Sequence, residues 1–199
     1  MNKVTGYVKL NEFSGKAAEQ MQEVAKDFEA SGIKNIIMDL RDNPGGQVSI
    51  LEDMSNIFFD KGIIAEIKGK TTLTSQTVSS NGRDYNFNVI CLVNENSASA
   101  SEMFSGAMKE LNDTILIGKK TFGKGIAQMI SGLDDGSAIK LTVGKYYLPD
   151  GDCIHKVGIE PTIEMEQTEE VENIEDDALV QKALSLFADG VYTVSDLKE

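Results

Sequence analysis

The sequence contains no tryptophan, one histidine, two cysteines and three prolines in 199 residues. A single imidazole, His155, excludes multi-histidine metal sites, and any Ser-His-Asp triad would have to use it. Two thiols, Cys91 and Cys153, make neither a disulfide framework nor a zinc site. Positive charge is scarce: 19 Lys and Arg stand against 32 Asp and Glu, a formal net of −13. A protein that displaces counterions from nucleic acid needs a basic surface, so nucleic acid is not an expected partner. No apolar run approaches the ~20 residues of a membrane-spanning helix. Met1-Asn2-Lys3 leads into a strand and not into the apolar centre of a signal peptide. What is present is the composition of a folded domain, 41% hydrophobic and 26% charged. The acidity is concentrated, with nine acidic and no basic residues between Glu160 and Asp177. That run reads as a solvated segment leading into a last helix, with a docking surface for a basic partner as the alternative.

Along the chain, Val4–Leu10 has strand character. Ser14 suits a helix N-cap, and Ala17, Ala18, Met21, Val24, Ala25 and Phe28 then recur at helical spacing until Gly32. Ile36–Leu40 reads as a strand buried on both faces, as in a parallel sheet, and empties into the turn Arg41-Asp42-Asn43-Pro44-Gly45-Gly46. A helix is expected from Val48 to Asp60. Ile63–Ile67 and Thr71–Ser79 are strand-like, followed by the tight-turn signal Asn81-Gly82. Val89–Val93 and Ile115–Ile117 are buried strands, with a helix from the Ser97–Glu102 run to about Leu111 between them. A hairpin is expected around Asp134-Asp135-Gly136, and a final helix over Asp177–Phe187. The βαβα opening signals an α/β domain. We expect one core over residues 1–189 and a frayed tail over 190–199.

Chemistry could sit where two apolar strands end in small-residue turns, since ligands gather at the carboxyl ends of parallel strands. Gly45-Gly46 lets backbone N–H groups approach a ligand, although a Pro-Gly-Gly turn is also simply a turn. Ser97, Ser99 and Ser101 at a helix start are either an N-cap cluster or a nucleophile placed where the helix dipole favours developing negative charge. A serine nucleophile needs a base. His155, after a Pro-Asp-Gly turn and with no carboxylate poised to orient it, reads as structural. The other option is a lysine amine whose burial lowers its proton affinity. Lys124, between Gly123 and Gly125 with bulky Phe122 alongside to exclude water, suits it best.

Five segments, GYVKLNEF, IIMDLRDNPGG, CLVNENSASASE, KKTFGKGIAQ and GIEPTIE, occur in that order from Gly6 to the approach of the final helix. Together they resemble the carboxyl-terminal processing peptidases, or tail-specific proteases. SASASE with TFGKG placing Lys124 25 positions beyond Ser99 is more specific than either motif alone. The resemblance implies an α/β fold of the ClpP/crotonase-like kind, with short sheets in a spiral arrangement and helices outside; a doubly wound sheet is the runner-up. It implies a serine endopeptidase acting through an acyl-enzyme, with Ser99 as nucleophile, Lys124 as general base and Gln128 as the residue orienting that lysine. The oxyanion hole would use N–H groups of Ala100 and of the Gly45-Gly46 turn. No metal or other cofactor is implied, and the partners are protein or peptide substrates.

The sequence departs from the family pattern at Glu110, where the family often has Asp eleven positions after the nucleophile, and at Thr162, where an acid is usual. Glu110 reads as a helix-surface residue. Family members usually carry a signal or membrane anchor and a peptide-binding PDZ domain. Neither is visible here, so we expect a protease core belonging to a longer extracytoplasmic or membrane-anchored protein, or a short form. The rival readings are a non-catalytic module binding apolar ligands or proteins on the same scaffold, as in a retinoid-carrying relative of the eye, and an interaction domain using the acidic run.

Overall fold

Two apolar runs with no polar interruption, Ile36–Met38 and Val89–Val93, cannot face water on either side, and the fold buries both faces of each. The computed structural model describes residues 5–166 and 171–198. In it, strands β1 (Thr5–Lys9), β2 (Asn35–Asp39), β5 (Asn88–Val93), β6 (Ile115–Gly118) and β9 (Ile163–Glu164) form one sheet in the order β1-β2-β5-β6-β9. Every pairing in it is parallel. Helices α1 (Ala17–Ala30), α2 (Val48–Phe58), α3 (Ala100–Leu111) and α4 (Ala178–Ala188) cover it. Ile36, Met38, Cys91, Val93 and Leu116 join the core with α1, α2 and α3. The alternate residues Ile37, Ile90, Leu92, Ile115 and Ile117 join a second core with α4. The period of two sends successive side chains into different cores.

A second sheet runs β4-β3-β8-β7, from β3 (Gly62–Gly69), β4 (Gln76–Ser80), β7 (Ile126–Gly132) and β8 (Ala138–Tyr147), all antiparallel. The α/β expectation holds. The doubly wound runner-up does not: strand order in the parallel sheet rises without reversal, and the second sheet is antiparallel.

Several local readings are corrected. The helix after Ser14 starts at Ala17 with Lys16 at the N-cap; the Ser14 hydroxyl donates to Glu12 Oε2 at 2.9 Å. Thr71–Ser79 is not one strand: Thr72–Thr74 is a 3-10 turn and β4 begins at Gln76. Asn81-Gly82 carries the chain from one sheet to the other and closes no hairpin. Residues 191–198 are not frayed. Val191, Tyr192 and Val194 pack on the α4 core, and Val194 N–H donates to the Asp113 carbonyl at 2.8 Å. Of the residues read above at the chain's ends and in the acidic run, Met1, Asn2, Lys3, Val4, Glu169, Glu170 and Glu199 lie outside the described residues.

The acidic run is not all solvated. Asp177 is 4% exposed and caps α4, accepting from Leu179 and Val180 N–H at 2.9 and 3.1 Å. Its other oxygen pairs with Arg41 Nη1 at 2.7 Å, while Arg41 also grips the fully buried Asp39 through Nε and Nη2 at 2.9 and 2.6 Å. Tyr7 donates to Asp39 at 2.6 Å. Burial works against the guanidinium charge, but Asp39 and Asp177 outweigh it and hold the Arg41 pKa above its ordinary value. One guanidinium therefore ties the end of β2 to the start of α4.

Arg41→Ala leaves the buried Asp39 without a counter-charge and should cost about 3–5 kcal/mol, read as a lower urea midpoint. Arg41→Lys should recover only part of it, because a point charge cannot match two carboxylates as the planar fork does.

Candidate active site

Strands β2 and β5 are neighbours in the parallel sheet, so the turns that follow them emerge side by side. Asn43, fully buried, organises the first. Its Nδ2 donates to the Leu10 carbonyl at 2.7 Å and its Oδ1 accepts Gly45 N–H at 2.9 Å. Its own carbonyl accepts Ala98 N–H and the Ser101 hydroxyl, each at 3.0 Å, which ties the first turn to the second. Gly45 has φ 98°, and a Cβ there would stand 2.7 Å from Ser99 Cβ and 2.8 Å from Ala100 N. Only glycine permits that approach.

The three serines divide by partner. Ser97 Oγ donates to the Leu40 carbonyl at 2.8 Å and Ser101 Oγ to the Asn43 carbonyl, so both serve the backbone. Ser99 Oγ donates to no backbone carbonyl among the described residues. Ser99 is 6% exposed and stands at the N-cap of α3 with φ 58° and ψ −118°, a left-handed conformation costly for a residue with a Cβ. A strained serine at a strand-to-helix turn is the geometry that thrusts a hydroxyl forward for attack. Tyr146, near the end of β8, stands beside this hydroxyl: burial pushes the phenol pKa up, and the nearby Ser99 side chain partly offsets that.

One residue that the sequence reading quoted but gave no role holds the centre together. Glu102 is fully buried, and its carboxylate accepts four hydrogen bonds. Oε2 takes Ser99 N–H at 2.9 Å and Lys124 N–H at 2.8 Å. Oε1 takes Gly123 N–H at 2.7 Å and the Thr121 hydroxyl at 2.6 Å. The backbones at positions 99 and 124 thus meet on a single oxygen atom. The signal was legible, since Ser99 with Glu102 three positions on is a capping-box spacing. Tyr146 and Asn43 carried no such local signal.

The 121–125 segment is fixed from its other side as well. Lys156 N–H donates to the Gly123 carbonyl at 2.8 Å, and Ile159 N–H donates to Thr121 Oγ1 at 2.7 Å. A Cβ on Gly125 would meet His155 N at 2.3 Å. His155 therefore packs over the lysine turn through its backbone. Lys124 is half-buried. Phe122 is 66% exposed and does not supply the expected apolar wall; close packing comes from Gly123 and Gly125 instead. Gln128 is exposed on β7 and has no hydrogen bond to Lys124 among the described residues. A register shift between Ala127 and Gln128 interrupts the strand alternation there. Of the oxyanion candidates, Gly45 N–H is taken by Asn43. Ala100 and Gly46 N–H donate to no acceptor among the described residues.

The geometry and the fold define a class: an α/β core built like the C-terminal processing proteases. The structure of a photosystem II D1 C-terminal processing protease matches with a TM-score of 0.74 and 28% identity, over 85% of this chain and 44% of that one. The tricorn protease shares the fold at a TM-score of 0.62 and 20% identity, over 94% of this chain and 18% of that one. Residues 4–165 match the model of peptidase family S41, and the chain belongs to that family. The Staphylococcus aureus protein named "Probable CtpA-like serine protease" is 39% identical over 161 residues, 79% of this chain and 32% of its own length. Its namesake in Staphylococcus epidermidis is 41% identical over 163 residues, 79% of this chain and 33% of its own. The chain spans about a third of the length of these curated relatives.

Glu102→Gln replaces two acceptor lone-pair sites with an NH₂ group facing N–H donors. It should destabilise the protein by about 1–3 kcal/mol, measured by urea unfolding, with loss of Ser99 reactivity in the folded fraction. Glu110 supplies a pH test. Although the residue is exposed on α3, its Oε2 accepts Asp150 N–H at 3.1 Å. Partial burial, with Asp150 and Asp152 nearby, raises its pKa from 4.5 to about 7. A raised carboxyl pKa favours the protonated form in the folded state. That stabilisation is complete below 4.5 and lost as pH rises through about 7. Glu110→Gln keeps the acceptor without the charge, so its thermal midpoint should gain on the wild type between those pH values.

Proposed function

We propose that this chain is the catalytic core of a serine endopeptidase of the C-terminal processing type. The observation that carries the reading is the strained Ser99 at a helix N-terminus, with its backbone and that of Lys124 bound to the same Glu102 oxygen. Ser99 Oγ attacks the scissile carbonyl carbon while the Lys124 amine accepts the hydroxyl proton. The carbonyl oxygen becomes an oxyanion held by Ala100 N–H and Gly46 N–H, which donate to no acceptor among the described residues. Each such donor is worth about 2.7–4 kcal/mol in the transition state. Collapse expels the amine, which takes the proton from Lys124 and leaves an ester on Ser99. Water, deprotonated by Lys124, cleaves that ester, releases the carboxylic acid and restores the serine. The scheme has no step for Gln128, which is exposed and makes no hydrogen bond to Lys124 among the described residues.

The substrates are proteins or peptides, and the enzyme works in a longer protein outside the cytoplasm or at a membrane, with a PDZ domain contributing to recognition. No helix among the described residues is itself long and apolar enough to cross a membrane. The binding-module alternative lacks a use for the strain at Ser99.

A fluorophosphonate probe should label the protein, and Ser99→Ala should abolish the labelling while Ser97→Ala and Ser101→Ala do not abolish it by removing the acceptor. Lys124→Ala should slow labelling and peptide hydrolysis about 10²-fold or more. Lys124→Arg should not restore them, since guanidinium does not lose its proton. Full activity in Lys124→Arg would remove the general-base role.

A further inference from the structure

Strand β7 is the open edge of the antiparallel sheet. Edge strands in folded proteins are usually blunted by lysine, proline or cover from another element. β7 reads IAQMISG, with no charge and no proline, and Gln128 to Gly132 are all exposed. The β7–β8 hairpin carries Asp134, Asp135, Lys140 and Lys145, so it is neutral in a chain of net charge −13. Its register places Met129 opposite Leu141 and Ser131 opposite Ile139, so these residues share one face with Leu133. On that face Met129, Leu133, Ile139 and Leu141 are 47%, 45%, 42% and 55% exposed, an apolar platform without cover among the described residues.

The phase of the ladder decides which backbone groups are free. Leu133 N–H donates to the Ser137 carbonyl at 2.8 Å, and the same register runs back to Gln128. Odd-numbered residues therefore point their N–H and C=O toward β8. Gln128, Ile130 and Gly132 point theirs outward. The strand begins two residues beyond Lys124, and Tyr146 N–H on β8 joins it at the Gly125 carbonyl, at 2.9 Å. An extended chain laid along this edge leads to the Ser99 centre.

We propose that β7 is the docking strand for the polypeptide to be cut. A substrate segment adds as a fifth strand, its backbone bonded to Gln128, Ile130 and Gly132, and its alternate side chains continue the Met129–Leu141 platform. The class of substrate this selects is an extended, unfolded segment with apolar residues at every second position and no excess of negative charge, which the acidic body of the protein would repel. The inference rests on the proteolytic reading and adds its substrate class.

Binding is tested apart from catalysis, in the Ser99→Ala protein, by fluorescence anisotropy of a labelled twelve-residue peptide with alternating apolar residues. Ile130→Pro removes an outward N–H and leaves the β7–β8 ladder intact, the one arrangement in which an edge strand accepts proline. It should weaken binding about tenfold, the loss expected for one or two backbone bonds, with an unchanged thermal midpoint. Ile130→Val should bind as before. On the unaltered strand, N-methylation of the peptide at alternate residues should weaken binding in one phase and not in the other, which covers the case where the proline variant misfolds. Equal affinity for the methylated peptides in both phases, or for Ile130→Pro, overturns the proposal. So does a dimer, seen by sedimentation, that Ile130→Pro dissolves while peptide affinity stays constant, since the edge would then serve a second copy. Absence of probe labelling with edge-dependent peptide binding would instead remove the protease reading and keep the docking strand.

Discussion

A buried carboxylate with four donors converging on it is the interaction on which the site depends. Taking a charged group out of water costs several kcal/mol, and Glu102 offsets that only if every oxygen is matched. Its donors come from two segments that the chain delivers separately: Ser99 from the end of the parallel sheet, and Thr121, Gly123 and Lys124 from the turn before the antiparallel one. Neither segment satisfies it alone. Folding that leaves the two turns apart leaves a carboxylate unpaired inside the protein, so assembly of the centre is coupled to burial of one side chain. The same coupling supports the left-handed backbone at Ser99, because the Glu102 bond holds the very N–H that this conformation presents.

The parallel sheet supplies the rest of the frame. Met38 pairs with Cys91, so segments about fifty residues apart in sequence finish at the same level. Asn43 then binds the two emerging turns to each other, and the missing side chain at Gly45 lets them close. Below the sheet, Arg41 fastens the end of β2 to α4 through Asp39 and Asp177. The turn that bears the proposed oxyanion donors is therefore gripped from both faces of the sheet. A site that must meet developing charge without moving benefits from such fixation, because donors already in place need no reorganisation.

Much of this was legible because it is written locally. Continuous apolar runs marked the strands buried on both faces, and the paired motifs around Ser99 and Lys124 marked the site. What escaped depended on distant partners. Ser14 looks like a cap, but Glu12 two residues back takes its hydroxyl, and the helix starts later. Asp177 belongs to an acidic run that reads as solvent-facing until Arg41, 136 positions away, is placed beside it. Phe122 reads as a water-excluding wall, yet it is exposed, although its own N–H binds the buried Ser97 carbonyl at 3.1 Å and its neighbours Thr121 and Gly123 are held in by Glu102. Tyr146 comes to Ser99 only through the closing of a second sheet. Glu102 is the exception: its spacing from Ser99 was readable, but a capping box foretells one bond and not four.

The two sheets also differ in what they leave unfinished. The parallel one has helices on both faces, as suits a frame for the turn that carries Ser99. The antiparallel one ends in an edge without charge, proline or cover, beside the half of the centre that carries the lysine. An unprotected edge is a hazard of association for any soluble chain, and twenty-odd residues of neutral, apolar hairpin on so acidic a body sharpen it. Such a surface persists where a strand is meant to be met. In a molecule whose proposed chemistry requires an extended backbone to lie still across Ser99, the strand that is met and the strand that is cut are most economically the same chain.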